Sequence, residues 1–210
     1  MRSGSTRRGG TAGLVAALLC LGACAGPGTT APPAAQGQAA AEAPLQGAVR
    51  QLLANQAAGL VRTIGGVGFV KAPIAVPLAN GEISLIPLTP DLEATLARLQ
   101  RRWLAGRRQP LPYEAFQTAF AVLTKQRVAV GRAGGEALIR FAPTDDSGRF
   151  TFNQVPEGQW LLVADMNAPV SILLWAVPLD VGPLDQPALI LQEGNLLLEA
   201  RRPDQASPDR

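Results

Sequence analysis

Turn-forming residues interrupt most of this chain every several positions between about residue 60 and residue 200, and the apolar runs between them are short. Such punctuation favours strands of modest length over long helices. Glu82-Ile83-Ser84-Leu85-Ile86 alternates and stops at Pro87, and Ala137-Leu138-Ile139-Arg140-Phe141 and Arg149-Phe150-Thr151-Phe152 alternate in the same way. Gln159-Trp160-Leu161-Leu162-Val163-Ala164 and Ser171-Ile172-Leu173-Leu174-Trp175-Ala176-Val177 are apolar runs rich in strand formers, and residues 60–70 are apolar and glycine-rich. Residues 188–192 and 195–200, separated by Glu193-Gly194, predict a closing hairpin. The fold class that follows is mainly β, an antiparallel sandwich. Ahead of it, Val49, Leu52, Leu53 and Leu60 could line a short helix near Gly59.

One segment departs from the period of two. Thr89-Pro90-Asp91 supplies an N-cap, a proline for the first helical position and an acid for the first turn. Leu92, Leu96, Leu99 and Trp103 then recur on one helical face, and Tyr113, Phe116, Phe120 and Leu123 form a second stripe beyond Pro110-Leu111-Pro112. This predicts an α-helical hairpin over residues 89–125, inserted between strands and laid on the sandwich by its apolar faces. Arg98, Arg101 and Arg102 share spacings of three and four opposite the leucines, Arg107 and Arg108 follow, and nothing acidic lies between Glu93 and Glu114. Two readings stay open for these arginines. They form a solvated face with cations near a helix C-terminus, which the arginine-rich composition favours. Otherwise they bind an anion, whether lipid headgroup, acidic envelope protein or anionic glycan.

At the N-terminus, Arg2, Arg7 and Arg8 precede the apolar run 12–23, which is too short to span a bilayer. Leu21-Gly22-Ala23-Cys24 closes that run and resembles the lipobox of bacterial lipoprotein signal peptides. The resemblance implies a signal peptide over 1–23 and an acylated Cys24 at the new N-terminus, carrying palmitate-type chains into membrane lipid. Ala25, rather than aspartate, after the cysteine implies the periplasmic face of the outer membrane. Residues 24–47, nearly all Ala, Pro, Gly, Gln and Thr, read as a disordered tether on the order of 25 Å long. Residues 48–200 form the domain and 201–210 a disordered tail. Cleavage removes three of 19 basic residues and leaves 16 against 16 acidic ones, so no bulk electrostatic attraction to nucleic acid remains. Cys20 would depart with the signal, leaving the domain without a thiol, disulfide or cysteine metal site.

Asp146-Ser147-Gly148 and Pro156-Glu157-Gly158 are tight turns flanking a strand on which Phe150 and Phe152 share a face, and Trp160 and Leu162 share a face on the next. The stretch 145–164 as a whole resembles the central signature of carboxypeptidase regulatory-like domains, relatives of the transthyretin (prealbumin-like) sandwich. Val76-Pro77-Leu78-Ala79-Asn80-Gly81-Glu82-Ile83-Ser84-Leu85-Ile86-Pro87 resembles an upstream strand of the same family. The resemblance implies a transthyretin-like β-sandwich with the helical hairpin as an insertion, and a non-catalytic accessory role. The related sandwich enzyme that hydrolyses 5-hydroxyisourate relies on histidines.

This chain has no histidine, which excludes imidazole acid–base chemistry, serine–histidine and cysteine–histidine pairs, and histidine metal sites. Asp145 and Asp146 lack the spacing of a calcium loop and read as a turn, and Gly65-Gly66-Val67-Gly68 lacks the Lys-Ser/Thr of a phosphate loop and reads as a flexible or tightly packed strand. No catalytic residue, metal or cofactor is assigned. The sequence therefore points to a lipid-anchored, non-enzymatic binding or structural module. A carbohydrate- or small-ligand-binding accessory would present Trp103, Tyr113, Trp160 or Trp175 to solvent. A carboxylate-based hydrolase would need two acids brought into one pocket, and no such pair is visible in the sequence.

Overall fold

The computed structural model describes residues 33–72, 74–184 and 188–203. The signal segment, Cys24, the first residues of the tether and the end of the tail lie outside the described residues. The element order is α1 (Pro33–Ala57), β1 (Val61–Ala72), β2 (Ile74–Pro77), β3 (Glu82–Pro87), α2 (Pro90–Ala105), α3 (Tyr113–Arg132), a 3-10 turn (Glu136–Leu138), β4 (Arg140–Pro143), β5 (Arg149–Pro156), β6 (Gly158–Asn167), β7 (Ser171–Val181), β8 (Leu189–Leu191), a second 3-10 turn (Glu193–Asn195) and β9 (Leu196–Arg201). One sheet runs β2-β1-β5, with β8 also on β1, and the other runs β4-β3-β6-β7-β9. All strand pairs are antiparallel except β1 with β8.

The five-stranded sheet is covered on both faces. Ile83, Leu85 and Pro87 stand opposite Ala164, Leu162 and Trp160 across β3 and β6, on the face turned towards the other sheet. Ser84 and Ile86, with Val163 and Leu161, occupy the opposite face, where α3 sends Arg127 to Ser84 Oγ and Gln126 to the Pro87 carbonyl. Double coverage is why residues 160–164 and 171–175 read as unbroken apolar runs rather than alternating ones. Each buried Leu, Ile or Val there contributes about 1.5–3 kcal/mol relative to exposure. On β5, Phe150 and Phe152 share the inner face, their rings edge to face at 6.0 Å.

The helical hairpin starts as the sequence predicts. Thr89 Oγ1 accepts the Leu92 N–H at 3.3 Å, Pro90 opens α2, and Leu92, Leu96 and Trp103 are buried. Two details differ. The insertion runs past residue 125, because Val130 continues the buried stripe of Ala119 and Leu123 to Arg132. The Glu136–Leu138 turn follows, so β4 begins at Arg140 rather than at 137. Phe120, placed on the buried stripe by the sequence reading, is 41% exposed, because the buried face of α3 rotates through Ala119 instead.

Two larger expectations are corrected. The tether 24–47 is not unstructured throughout, since α1 begins at Pro33. Alanine and glutamine are good helix formers, and Leu45, Val49 and Leu52 bury themselves against the domain, which composition alone does not weigh. Leu60 falls beyond this helix and is 43% exposed. Gly59, at φ +73°, ends α1, with the Leu60 N–H bonded to the Asn55 carbonyl and the Gly59 N–H to that of Gln56.

Nor do residues 188–200 form a hairpin: β8 lies parallel on β1 in one sheet, and β9 lies on β7 in the other. The turn between them is held for a crossing. Asn195 Oδ1 accepts the Gln192 N–H, its Nδ2 donates to the Ile190 carbonyl, and Trp175 Nε1 donates to the Gln192 carbonyl at 3.0 Å. The predicted tail began one residue too early, because Arg201 still pairs with Ser171 in β9. The α2–α3 connection is tied to the same edge, with the Leu111 N–H bonded to the Glu199 carbonyl and the Arg201 N–H to that of Leu111, both at 2.8 Å.

Candidate functional site

A cleft of about 480 Å³ opens on the outer face of the five-stranded sheet, between the sheet and α3. The β3–β6 register, Ile83 against Ala164, continues to set Glu82 beside Asp165 on the same face as Ser84. Directly opposed strand residues have Cβ atoms about 4.5–5.5 Å apart, so the two carboxylates are close neighbours. Arg127 enters from α3. Its Nη2 donates to Ser84 Oγ at 2.6 Å, its guanidinium lies 5.8 Å from the centroid of the Phe141 ring, and its buried Nε has no partner.

Burial holds Arg127 below the ordinary guanidinium value, opposed by the charges of Glu82 and Asp165. Partial burial pushes Asp165 above the ordinary carboxylate value; Arg127 pulls it down and Glu82 pushes it up further. Among the described residues Arg127 makes no ion pair with either acid, and neither carboxylate accepts a hydrogen bond. The three charged groups thus converge on a space without satisfying one another.

The cleft lining also carries amide and aromatic side chains. Asn80 and Asn167 line it, as does Phe120. The Asn80 loop is fixed by the neighbouring turn: the Gly81 N–H donates to Thr144 Oγ1 at 2.8 Å, and Asn80 Nδ2 reaches Asp146. Asp145 organises that turn, its Oδ1 accepting from Ser147 Oγ and from the backbone N–H groups of Ser147 and Arg149. The Ser147 hydroxyl, followed by the Arg149 amide, holds the Asp145 carboxyl below its ordinary value. Asp145 is therefore a turn residue whose oxygen is already taken.

The residues singled out in the sequence lie elsewhere. Arg98, Arg101 and Arg102 are exposed on α2, and Arg107 and Arg108 are exposed in the turn after it. None of them lines the cleft. Trp103, Trp160 and Trp175 are 3%, 0% and 0% exposed, so the tryptophans serve packing rather than a ligand site. Tyr113 is half-buried, and the exposed rings are Phe120 and Phe141, the latter 53% exposed. Sequence reasoning missed Glu82, Arg127 and Asp165. The local signal was Ser84, a polar residue on a strand that is otherwise apolar from Ile83 to Pro87.

No known family model and no curated protein matches the chain. Among solved structures, it is similar to a "putative carbohydrate binding protein" from Pseudomonas aeruginosa, at 15% identity over 63% of this chain and 88% of that one, with a TM-score of 0.37. It is also similar to the pilus backbone protein RrgB from Streptococcus pneumoniae, at 16% identity over 57% of this chain and 34% of that one, with a TM-score of 0.27. The match spans about a third of the RrgB chain.

Proposed function

We propose that this chain is a non-enzymatic binding module of the cell envelope, held in the outer membrane by an acylated Cys24, with a carbohydrate as the ligand of its cleft. The carrying observation is the convergence of Glu82, Arg127 and Asp165 without mutual ion pairs, between Asn80 and Asn167 and beside Phe120. A sugar presents hydroxyls that both donate and accept, around apolar C–H faces. Carboxylates accept, a guanidinium donates, amides do both, and a phenyl ring covers the C–H face. Small-ligand sites combine a few convergent polar groups with apolar walls in this way. The envelope location rests on the lipobox resemblance of Leu21-Gly22-Ala23-Cys24, and the accessory role on the resemblance of 145–164 to carboxypeptidase regulatory-like domains.

The test is a glycan-array screen followed by calorimetry on the chain and two variants. Arg127→Ala and the exposed Asn167→Ala are each expected to weaken a retained glycan about tenfold or more. No retained glycan, or an affinity indifferent to both substitutions, would refute the assignment. The Glu82–Asp165 pair also favours a second reading, a carboxylate-based hydrolase. Two carboxylates on neighbouring strands facing one cleft are the residue types that a general acid and a general base require. Turnover of a glycoside that is lost in Glu82→Gln while binding persists would select that reading.

A further inference from the structure

We infer that the arginine face of α2, with the turn that follows it, is a docking surface for an anionic membrane, the headgroups meeting the guanidinium groups and Leu104 entering the interface. This does not rest on the ligand of the cleft or on the acylation of Cys24. Four observations carry it. Arg98, Arg101, Arg102, Arg107 and Arg108 are all exposed, and among the described residues none makes an ion pair. The fold adds Arg201, exposed beside the same turn because its N–H is bonded to the Leu111 carbonyl. Glu199 on that edge makes no ion pair with any of them. In a chain whose charges balance after the signal segment, this is a strong local excess of one sign.

The second observation is conformational. Arg107 and Arg108 are successive residues at φ +56° and +58°, a region that non-glycine residues avoid. The turn is nonetheless closed by hydrogen bonds from the Arg107 N–H to the Leu104 carbonyl and from the Arg108 N–H to the Trp103 carbonyl. Strained backbone of this kind persists where surroundings over-determine it, and it concentrates at functional positions. Third, the Arg108 guanidinium lies 5.8 Å from the centroid of the Trp103 ring, which holds one of the charges beside the end of α2. Fourth, Leu104 is 43% exposed, three residues after Arg101 and four before Arg108. An exposed apolar side chain on a helix that also carries exposed arginines suits a lipid interface, where the leucine meets acyl chains and the arginines meet phosphates. A soluble polyanion gives that leucine no apolar phase.

The experiment uses the mature chain, residues 24–210 carrying Cys24→Ser, so that neither the apolar run 12–23 nor an acyl chain contributes, and measures co-sedimentation with vesicles. One set is phosphatidylcholine alone, and the other includes a minor fraction of phosphatidylglycerol. Binding is expected only to the second set and is expected to fall as salt rises. Arg98→Gln, Arg101→Gln and Arg102→Gln together are expected to lower partitioning on the order of a hundredfold. Leu104→Ser, with the charge unchanged, is expected to lower it roughly tenfold. All these positions are exposed, and matching unfolding curves would verify that the variants are folded. Equal binding to neutral vesicles, or no loss in the arginine variant, would overturn the inference. So would retention on a soluble sulfated glycan without vesicle binding, which would make the face a glycan site.

Discussion

Gly148 sits at φ +75° in the Asp145–Gly148 turn, and a Cβ built on it would stand 2.3 Å from the Gly68 carbonyl oxygen and 3.0 Å from the Leu78 nitrogen. Both are backbone atoms, so no side-chain rotation relieves the contact. The same Gly68 carbonyl accepts the Leu78 N–H at 2.8 Å, and the Gly68 N–H donates to the Gly148 carbonyl at 2.9 Å. Making room for a methyl group therefore breaks at least one buried backbone hydrogen bond as well as forcing alanine into a left-handed conformation. The conformational cost is about 1–2 kcal/mol and the orphaned group about 1–3 kcal/mol, so Gly148→Ala is expected to cost about 2–5 kcal/mol. Gly59 supplies the control, because its φ is nearly the same, +73°, and nothing lies within 4 Å of its added Cβ. Gly59→Ala is expected to show the conformational cost alone, about 1–2 kcal/mol. Urea unfolding of both variants with a common m-value measures the difference. If Gly148→Ala costs no more than Gly59→Ala, the close approach of the turn to β1 is wrong. Leu78 lines the cleft, so Gly148→Ala is also expected to weaken whatever ligand the cleft holds.

Three further outcomes follow from the same contacts. Asp165 binds its proton more tightly folded than unfolded, so its contribution is greatest below the ordinary carboxylate value and is lost as pH rises through the raised folded value. Asp165→Asn is accordingly expected to raise unfolding stability at neutral pH and to have no such effect in acid, and a destabilised variant at pH 7 would contradict the desolvation argument. Asp145 has the opposite sign: its lowered value means that its stabilisation is present at neutral pH and lost on acidification. The stability gap between wild type and Asp145→Ala should therefore narrow in acid titrations. Trp175→Phe keeps an aromatic ring in the core but strips the donor from the Gln192 carbonyl, and it is expected to cost about 1–3 kcal/mol in thermal unfolding.

How much of this was legible depended on how local the determinant was. α2 was readable from its cap to its last buried residue, because Thr89, Pro90 and the Leu92–Trp103 stripe act within a few turns of one another. The central strands were readable too, since double burial leaves its mark on residues 160–164 of β6 and 172–175 of β7. α1 was not, because three buried side chains, Leu45, Val49 and Leu52, hold an alanine-rich segment that looks incapable of packing. Strands β8 and β9 looked like a hairpin because their separation is short, whereas their sheet membership is decided by β1 and β7, far away in sequence. The cleft was hidden for the same reason. Glu82, Arg127 and Asp165 come from two strands and a helix, and only the β3–β6 register and the seating of α3 make them neighbours.

The bonds between Leu111 and β9 give the helical insertion a protective role. Without Leu111, the Glu199 carbonyl and the Arg201 N–H would face solvent on a strand that terminates its sheet, a template for pairing with another molecule. The segment between the two helices therefore acts as a short guard strand, closing off growth of the sheet in that direction. A chain from which the insertion had been excised would keep most strand pairings, yet it would present an adhesive edge of leucine-rich backbone. Self-association along that edge is then a failure that such a deletion invites, beside the loss of the helices' apolar cover.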